Sequence, residues 1–280
     1  MNGLRPMIDD LLIYTDLNDT LLDRNYSFSA SEEALDRIRE SGIPLIICTS
    51  KTRAQTEIYR ERLGINYPLI VENGGAVHFP PGSFPADKLP EEWLEESGEH
   101  VWRLSKQLDE ILPKLISAAD KTGARIRTIF DLEIREIMEI TGMSAEESEF
   151  AKQREHTVYF LCENKRERLF AKLKKRGLSA TWGSYFNHAG SDNSKGMALS
   201  RLNAFYFSVF DKVYIAAAFG DNMNDVSMLN HAHYPFLVEK PGGGYTEGIE
   251  MEGLRKMLGI GPVGWNRGVL ELLGLIQGDK

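Results

Sequence analysis

The sequence predicts an α/β fold: a doubly wound, Rossmann-like parallel sheet interrupted by an inserted α+β domain. Three observations predict it. Short, mostly apolar runs at 11–15 (LLIYT), 43–49 (IPLIICT) and 213–219 (VYIAAAF) have strand length and read as strands buried on both faces of a parallel sheet. Helix-length stretches separate them, which gives the strand–helix–strand order of doubly wound folds with right-handed crossovers. This rhythm stops after about residue 83 and returns at about 190. The sheet domain, 1–83 and 190–280, is therefore expected to be split by a middle domain, 84–189.

The elements follow in order. Leu11–Thr15 is the first strand and ends on Asp16. Ser29-Ala-Ser-Glu32 reads as a capping box opening a helix through Glu40, stopped by Gly42. Ile43–Thr49 is the second strand, 52–63 a helix, and 69–72 a strand closed by the Asn73-Gly74-Gly75 turn. Pro80-Pro81-Gly82 and Phe84-Pro85 read as a linker. From Trp93 to Gly142 the pattern is helical, with Leu104, Leu108, Ile111, Leu112 and Leu115 at helix spacing. Ser144–Glu147 caps a further short helix, and strands at 157–161 and 180–185 flank a basic helix at 165–175. Beyond 190 come a helix from Lys195 to Ser208, the strand 213–219 ending in Gly220-Asp221, and a further helix. The strand 234–238, a PGGGY loop and a last helix near 268–276 complete the chain.

Composition sets limits on function. The chain has 280 residues, 42% hydrophobic and 26% charged, with a net charge of −8. The pI of about 5.4 argues against a nucleic-acid binder, which carries a basic surface. An acidic protein that takes an anionic substrate must concentrate positive charge locally, through Lys, Arg or a metal. Cys48 and Cys162 sit in apolar runs and read as small buried hydrophobes. The N-terminal segment lacks the pattern of a signal peptide and no run is long enough to cross a membrane, so a cytoplasmic location is expected, with no membrane partner and a monomer or homodimer.

In open α/β sheets, ligands bind at the carboxyl ends of the strands. Here those ends carry Asp16, Thr49-Ser50 and Asp221, with Lys195 at a loop–helix junction. Carboxylates with hydroxyls and a lysine suit a hard cation and a phosphate, leaving one carboxylate free to act as a nucleophile.

These segments resemble the motifs of the haloacid dehalogenase (HAD) superfamily. Asp16-Leu-Asn-Asp-Thr-Leu-Leu22 is similar to its first motif, Thr49 to the hydroxyl of its second, Lys195 to its third, and Gly220-Asp-Asn-Met-Asn-Asp225 to its fourth. The position of the middle domain resembles the C2-type cap of the Cof-like branch. The resemblance implies Asp16 as nucleophile, Thr49 and Lys195 as phosphoryl-binding groups, and Mg²⁺ held by Asp16, the Asn18 carbonyl and Asp221, with Asn224 and Asp225 in support. Where the family carries a second Asp, as acid and base, this chain has Asn18, and Asp19 stands in place of a Gly. An amide cannot exchange a proton at neutral pH.

The segments Thr49-Ser-Lys-Thr-Arg-Ala-Gln-Thr-Glu-Ile-Tyr-Arg60, Glu72-Asn-Gly-Gly-Ala76, Ala151-Lys-Gln-Arg-Glu155 and Gly261-Pro-Val-Gly-Trp-Asn266 resemble the mannosyl-3-phosphoglycerate phosphatase subfamily. That resemblance implies a phosphorylated sugar acid as substrate. Ser50, Lys51, Arg53, Arg154 and Asn224 become candidate binding residues, the cations among them facing its carboxylate and phosphate.

Overall fold

Side chains along the first apolar run alternate between two cores, which is the requirement of a sheet covered on both faces. In the computed structural model, which describes residues 10–90, 93–96, 98–183 and 185–277, Leu11 and Ile13 enter one hydrophobic cluster while Leu12 and Tyr14 enter another. The chain runs β1 (Leu11–Thr15), α1 (Glu32–Glu40), β2 (Leu45–Ile47), α2 (Arg53–Leu63), β3 (Leu69–Val71), β4 (Ala76–Phe79), β5 (Leu94–Glu96) and β6 (Glu99–Arg103). It continues through α3 (Leu108–Thr122), β7 (Ile126–Thr128), α4 (Ile134–Thr141), α5 (Ala145–Ala151), β8 (Thr157–Cys162), α6 (Arg166–Lys174), β9 (Ser179–Trp182) and β10 (Asn187–Gly190). It returns with α7 (Lys195–Phe210), β11 (Ile215–Gly220), α8 (Val226–Asn230), β12 (Tyr234–Glu239), β13 (Arg255–Ile260) and α9 (Pro262–Gln277).

Among the described residues the core sheet is parallel, in the order β13-β12-β11-β1-β2. A parallel bridge from Cys48 to Ile70 carries it on to β3. One face packs on α1 and α9 through Leu35, Ile38, Trp265, Val269 and Leu272. The other packs on α7 through Ala198, Leu199, Leu202 and Tyr206. Trp265 is fully buried and donates Nε1–H to Thr15 Oγ1 at 3.0 Å, so the GPVGWN stretch ties α9 to the end of β1.

The inserted part has its own antiparallel sheet, β7-β8-β10-β9, with clusters centred on Ile111, Leu115, Phe160 and Leu173 and on Ile129, Ile137 and Phe186. The boundary expected at residue 84 does not coincide with this change of packing. The described residues of 84–103 belong with the core: β4, β5 and β6 extend the hairpin from β3, and Phe84, Trp93, Val101 and Trp102 pack on the core clusters. Phe79, Phe84, Trp93 and Phe205 interlock at ring distances of 4.9–5.7 Å. The Pro-Pro-Gly stretch is a turn in front of this aromatic seal, and the chain leaves the core near Leu104, whose N–H donates to Gly75 O.

Other differences are local. The helical reading from Trp93 begins too early, since β5 and β6 precede α3. β13 carries Gly259 and an exposed Leu258, a pattern that reads as neither strand nor helix from sequence. Ser31 precedes α1 without a side-chain cap, whereas Ser144 does cap α5, accepting from Glu147 N.

Candidate active site

Asp16 follows β1 directly, and its N–H donates to Phe219 O on β11 at 3.0 Å, which fixes it at the carboxyl edge of the sheet. Gly220 ends β11 and Asp221 comes next. A Cβ at Gly220 would lie 2.4 Å from Asp225 Cβ, so glycine is required for this turn to close. Asp225 Oδ2 accepts from the Asp221 and Asn222 amides, each at 3.0 Å. Its Oδ1 accepts from Lys195 Nζ at 2.6 Å. Lys195 opens α7, capped by Ser194, and also lies 2.8 Å from Asp16 Oδ1. Gly74 makes this possible on the other side, since a Cβ there would meet Ser194 O at 2.3 Å.

Asp16, Asp221 and Asp225 each offer an oxygen, and these lie within 4.8 Å of one another. Both oxygens of Asp225 are engaged by Lys195 and the two amides, so it holds Lys195 and the 221–222 turn in place. Asp221 Oδ1 accepts from Thr20 Oγ1 at 3.0 Å. Asn18 Oδ1 is buried with no hydrogen-bond partner.

Burial pushes the Asp16 carboxyl up to about 6, with Lys195 opposing the shift. Burial, reinforced by Asp225 and Asp16, raises Asp221 well above the carboxylate range. Burial would lower Lys195, but Asp16 and Asp225 override it and keep the ammonium charged. A divalent cation between Asp16 and Asp221 would reverse the penalty on both carboxylates, and hard oxygen donors are the ligands Mg²⁺ takes. The donor set fits that ion.

Above these groups lies a cavity of about 340 Å³. Asp16, Asn18, Ser50, Lys51, Asp221 and Asn224 line it from the core. Thr49, Lys195 and Asp225 are buried and do not line it; Thr49 Oγ1 accepts from Lys51 N at 3.2 Å. Lys51 is 3% exposed, its Nζ lies 3.7 Å from Glu147 of α5, and the ammonium rests over the Tyr26 and Tyr59 rings. Burial lowers it to about 8, against the pull of Glu147. Arg53 turns away to Glu99 at 3.3 Å, beside buried His78. Arg154 is buried outside the cavity. It stacks on Tyr159 at 3.5 Å and binds Thr157 Oγ1 and Ser50 O.

Sequence reasoning missed the groups supplied by the inserted part: Tyr159, Thr181, Trp182, Tyr185 and His188 all line the cavity. Burial, then Arg154 and Lys195, lowers His188 to about 3, so its ring is neutral. It also missed Glu72, a buried carboxylate that accepts from Glu155 N, His156 N and Thr157 Oγ1 and pairs with Arg154. No local pattern marks these residues, because their positions depend on how β8 and β10 meet the core.

The profile of the haloacid dehalogenase-like hydrolase family matches residues 13–240. A glucosyl-3-phosphoglycerate/mannosyl-3-phosphoglycerate phosphatase of Methanococcoides burtonii is 36% identical over 268 residues, covering 94% of this chain and 97% of the relative. A protein of the same name from Persephonella marina is 31% identical over 271 residues, covering 95% and 98%. Among solved structures, a HAD phosphatase of Bacteroides thetaiotaomicron aligns with a TM-score of 0.66 at 19% identity, covering 98% of this chain and all of the other. A HAD subclass IIB sugar phosphatase aligns at 0.62 with 16% identity, covering 95% and 99%; these two likenesses concern the fold. The chain belongs to the haloacid dehalogenase-like hydrolase family. Within that family it is a phosphatase.

Proposed function

We propose that this phosphatase is a Mg²⁺-dependent phosphomonoesterase that hydrolyses mannosyl-3-phosphoglycerate or its glucosyl counterpart to the glycosylglycerate and phosphate. The observation that carries the reading is a single cavity lined both by the carboxylates Asp16 and Asp221 and by the ammonium of Lys51. Asp16 is held 2.8 Å from buried Lys195 and close to Asp221. Lys51 lines the same cavity with a buried ammonium that has only the Glu147 carboxylate, at 3.7 Å, as a charged partner and no hydrogen bond within 3.5 Å. Asp16, Lys195 and Asp221 suit a phosphoryl group and Lys51 suits a carboxylate, and a phosphoglycerate ester carries both. The names of the two relatives support the same substrate.

In this reading Asp16 attacks phosphorus while the bond from phosphorus to the glycerate oxygen breaks, giving an aspartyl-phosphate. Water then attacks that phosphorus, releasing inorganic phosphate and restoring Asp16. Bound Mg²⁺ supplies positive charge to the phosphoryl oxygens. Lys195 keeps Asp16 ionised and in line, and Thr49 donates its hydroxyl proton to a phosphoryl oxygen. The residues lining the cavity from α4, α5 and β8–β10 exclude water during the transfer.

The departing alkoxide needs a proton, and Asn18 cannot give one. Slow turnover follows. A second reading is favoured by Asp19, which lines the cavity and whose carboxyl is raised by burial, so that it can serve as the acid.

The experiment is kcat/KM for mannosyl-3-phosphoglycerate and for a hexose phosphate, in the native protein and in Lys51→Met. Loss of a charge-assisted contact costs about 1.5–3 kcal/mol, roughly a 10- to 150-fold fall. That fall is expected for the phosphoglycerate alone, and equal falls on both substrates would remove the carboxylate-reading role.

A further inference from the structure

The peptide unit joining Ser50 to Lys51 is held at both ends, and by different parts of the molecule. Its carbonyl oxygen, on Ser50, accepts from Arg154 Nη2 at 2.8 Å and from the Tyr159 hydroxyl at 2.9 Å. These two donors belong to the inserted part, Arg154 between α5 and β8 and Tyr159 within β8. Its N–H, on Lys51, donates to Thr49 Oγ1 at 3.2 Å. In a trans peptide the C=O and N–H point in opposite directions. Drawing the carbonyl toward Arg154 and Tyr159 therefore aims the N–H at Thr49.

This has a consequence for the hydroxyl. A threonine oxygen has one proton to give and lone pairs to accept with. With an acceptor position filled by the Lys51 amide, the Thr49 proton is free to be donated to a phosphoryl oxygen. We propose that Arg154 and Tyr159 are positioning residues: by capturing the Ser50 carbonyl, they orient the Lys51 amide and so set Thr49 as a hydrogen-bond donor for phosphoryl transfer. The inserted part is thereby coupled to catalysis at the core.

Other observations fit this role. Arg154 is 2% exposed, does not border the cavity, and has its remaining groups taken by Thr157, Glu72 and the Tyr159 ring, apart from a buried Nη1 with no partner. Tyr159 is itself braced, stacked on His188 at 4.2 Å and Phe186 at 5.8 Å. Neighbouring contacts reinforce the same loop: Thr52 Oγ1 donates to Phe150 O at 2.9 Å and Gln55 Nε2 to Glu147 O at 3.2 Å. The core loop 50–55 is thus the place where the inserted domain bears on the site.

The inference rests on reading Thr49 as the phosphoryl-binding hydroxyl, but not on the identity of the sugar or the acid. Its test is a double-mutant cycle of Tyr159→Phe and Thr49→Val with p-nitrophenyl phosphate, which carries neither sugar nor glycerate. Tyr159→Phe keeps the ring and its stacking and removes only the hydroxyl. Residues acting through one network couple, so Tyr159→Phe should lower kcat about threefold or more, leave KM unchanged, and have no further effect in Thr49→Val. The same cycle read from the dissociation constant of orthovanadate needs no turnover and should give the same pattern. Equal losses from Tyr159→Phe with and without the Thr49 hydroxyl would overturn the proposal. So would a Tyr159→Phe protein with unchanged kcat and vanadate affinity. Failure of the phosphoglycerate assignment would leave this cycle intact, and failure of the cycle would leave that assignment standing.

Discussion

At the scale of single residues, the site turns on Asn18. Its Oδ1 is buried without a partner, and it lines the cavity with Asp16, the proposed nucleophile, whose acyl phosphate water would have to cleave. General acid–base catalysis contributes about 10²–10⁴-fold, so Asn18→Asp should raise kcat by at least about tenfold, measured by phosphate release under saturating substrate. If Asp19 is the acid, that substitution changes little and Asp19→Gly abolishes turnover. Asp19 holds φ 55°, a left-handed conformation that glycine adopts without strain, so loss of activity in Asp19→Gly would not come from backbone distortion. Lys51 gives a pH signature. In the free protein its ammonium loses a proton as pH rises through about 8. KM for a carboxylate-bearing ester should therefore climb above that pH, while KM for a carboxylate-free ester shows no such break. Stability runs the other way. Because Lys51 titrates at about 8 when folded and at 10.5 when free, the unfolded chain binds more protons in that window, and the Lys51 contribution to stability rises with pH across it. Asp16, Lys195 and Asp221 were legible in the sequence because strand ends and turns announce them. The partners of Arg53 and Arg154 were not: a cation's sequence neighbourhood does not say whether it lines the cavity, as Lys51 does, or meets Glu99 and Ser50 O, as those two arginines do.

Among elements, the join between β3 and β8 is the most tightly specified. Glu72 ends the β3 region at φ 49° and gathers two backbone amides, a hydroxyl and a guanidinium onto one buried carboxylate. Removing one partner of a buried pair typically costs about 3–5 kcal/mol. Glu72→Ala should lose stability in that range by denaturant unfolding and should speed amide exchange at 155 and 156; unchanged exchange there would show that the clamp is not needed. The parallel strands were legible because burial on both faces leaves unbroken apolar runs. The segment 84–103 was misread as linker and helix because its apolar residues seal the flank of a sheet through aromatic contacts distant in sequence, with Phe205 and Tyr206 of α7. Nothing in the local spacing of Phe84, Trp93 and Trp102 discloses those partners.

For the whole molecule, the inserted part supplies the roof of the cavity and the core its floor, so access to Asp16 depends on how the two meet. The chain crosses between them near Leu104–Leu108 and near Gly190–Ser194, where Lys106 N donates to Ser191 Oγ and Leu108 N to Glu155 O. The stretch Pro80–Pro85, read as a linker from sequence, is instead held to the core by the aromatic seal at Phe84. Closure about the two crossings should change the angle between core and insert when substrate or phosphate binds; superposable free and bound structures would contradict a moving cap. The most direct test of the central claim is phosphate release from mannosyl-3-phosphoglycerate with Mg²⁺, with EDTA, and in Asp221→Ala, beside mannose 6-phosphate as control. The account predicts release that favours the phosphoglycerate, vanishes on chelation and is lost in Asp221→Ala while the protein stays folded. Release undiminished by full chelation, or a preference for the simple hexose phosphate, would contradict it.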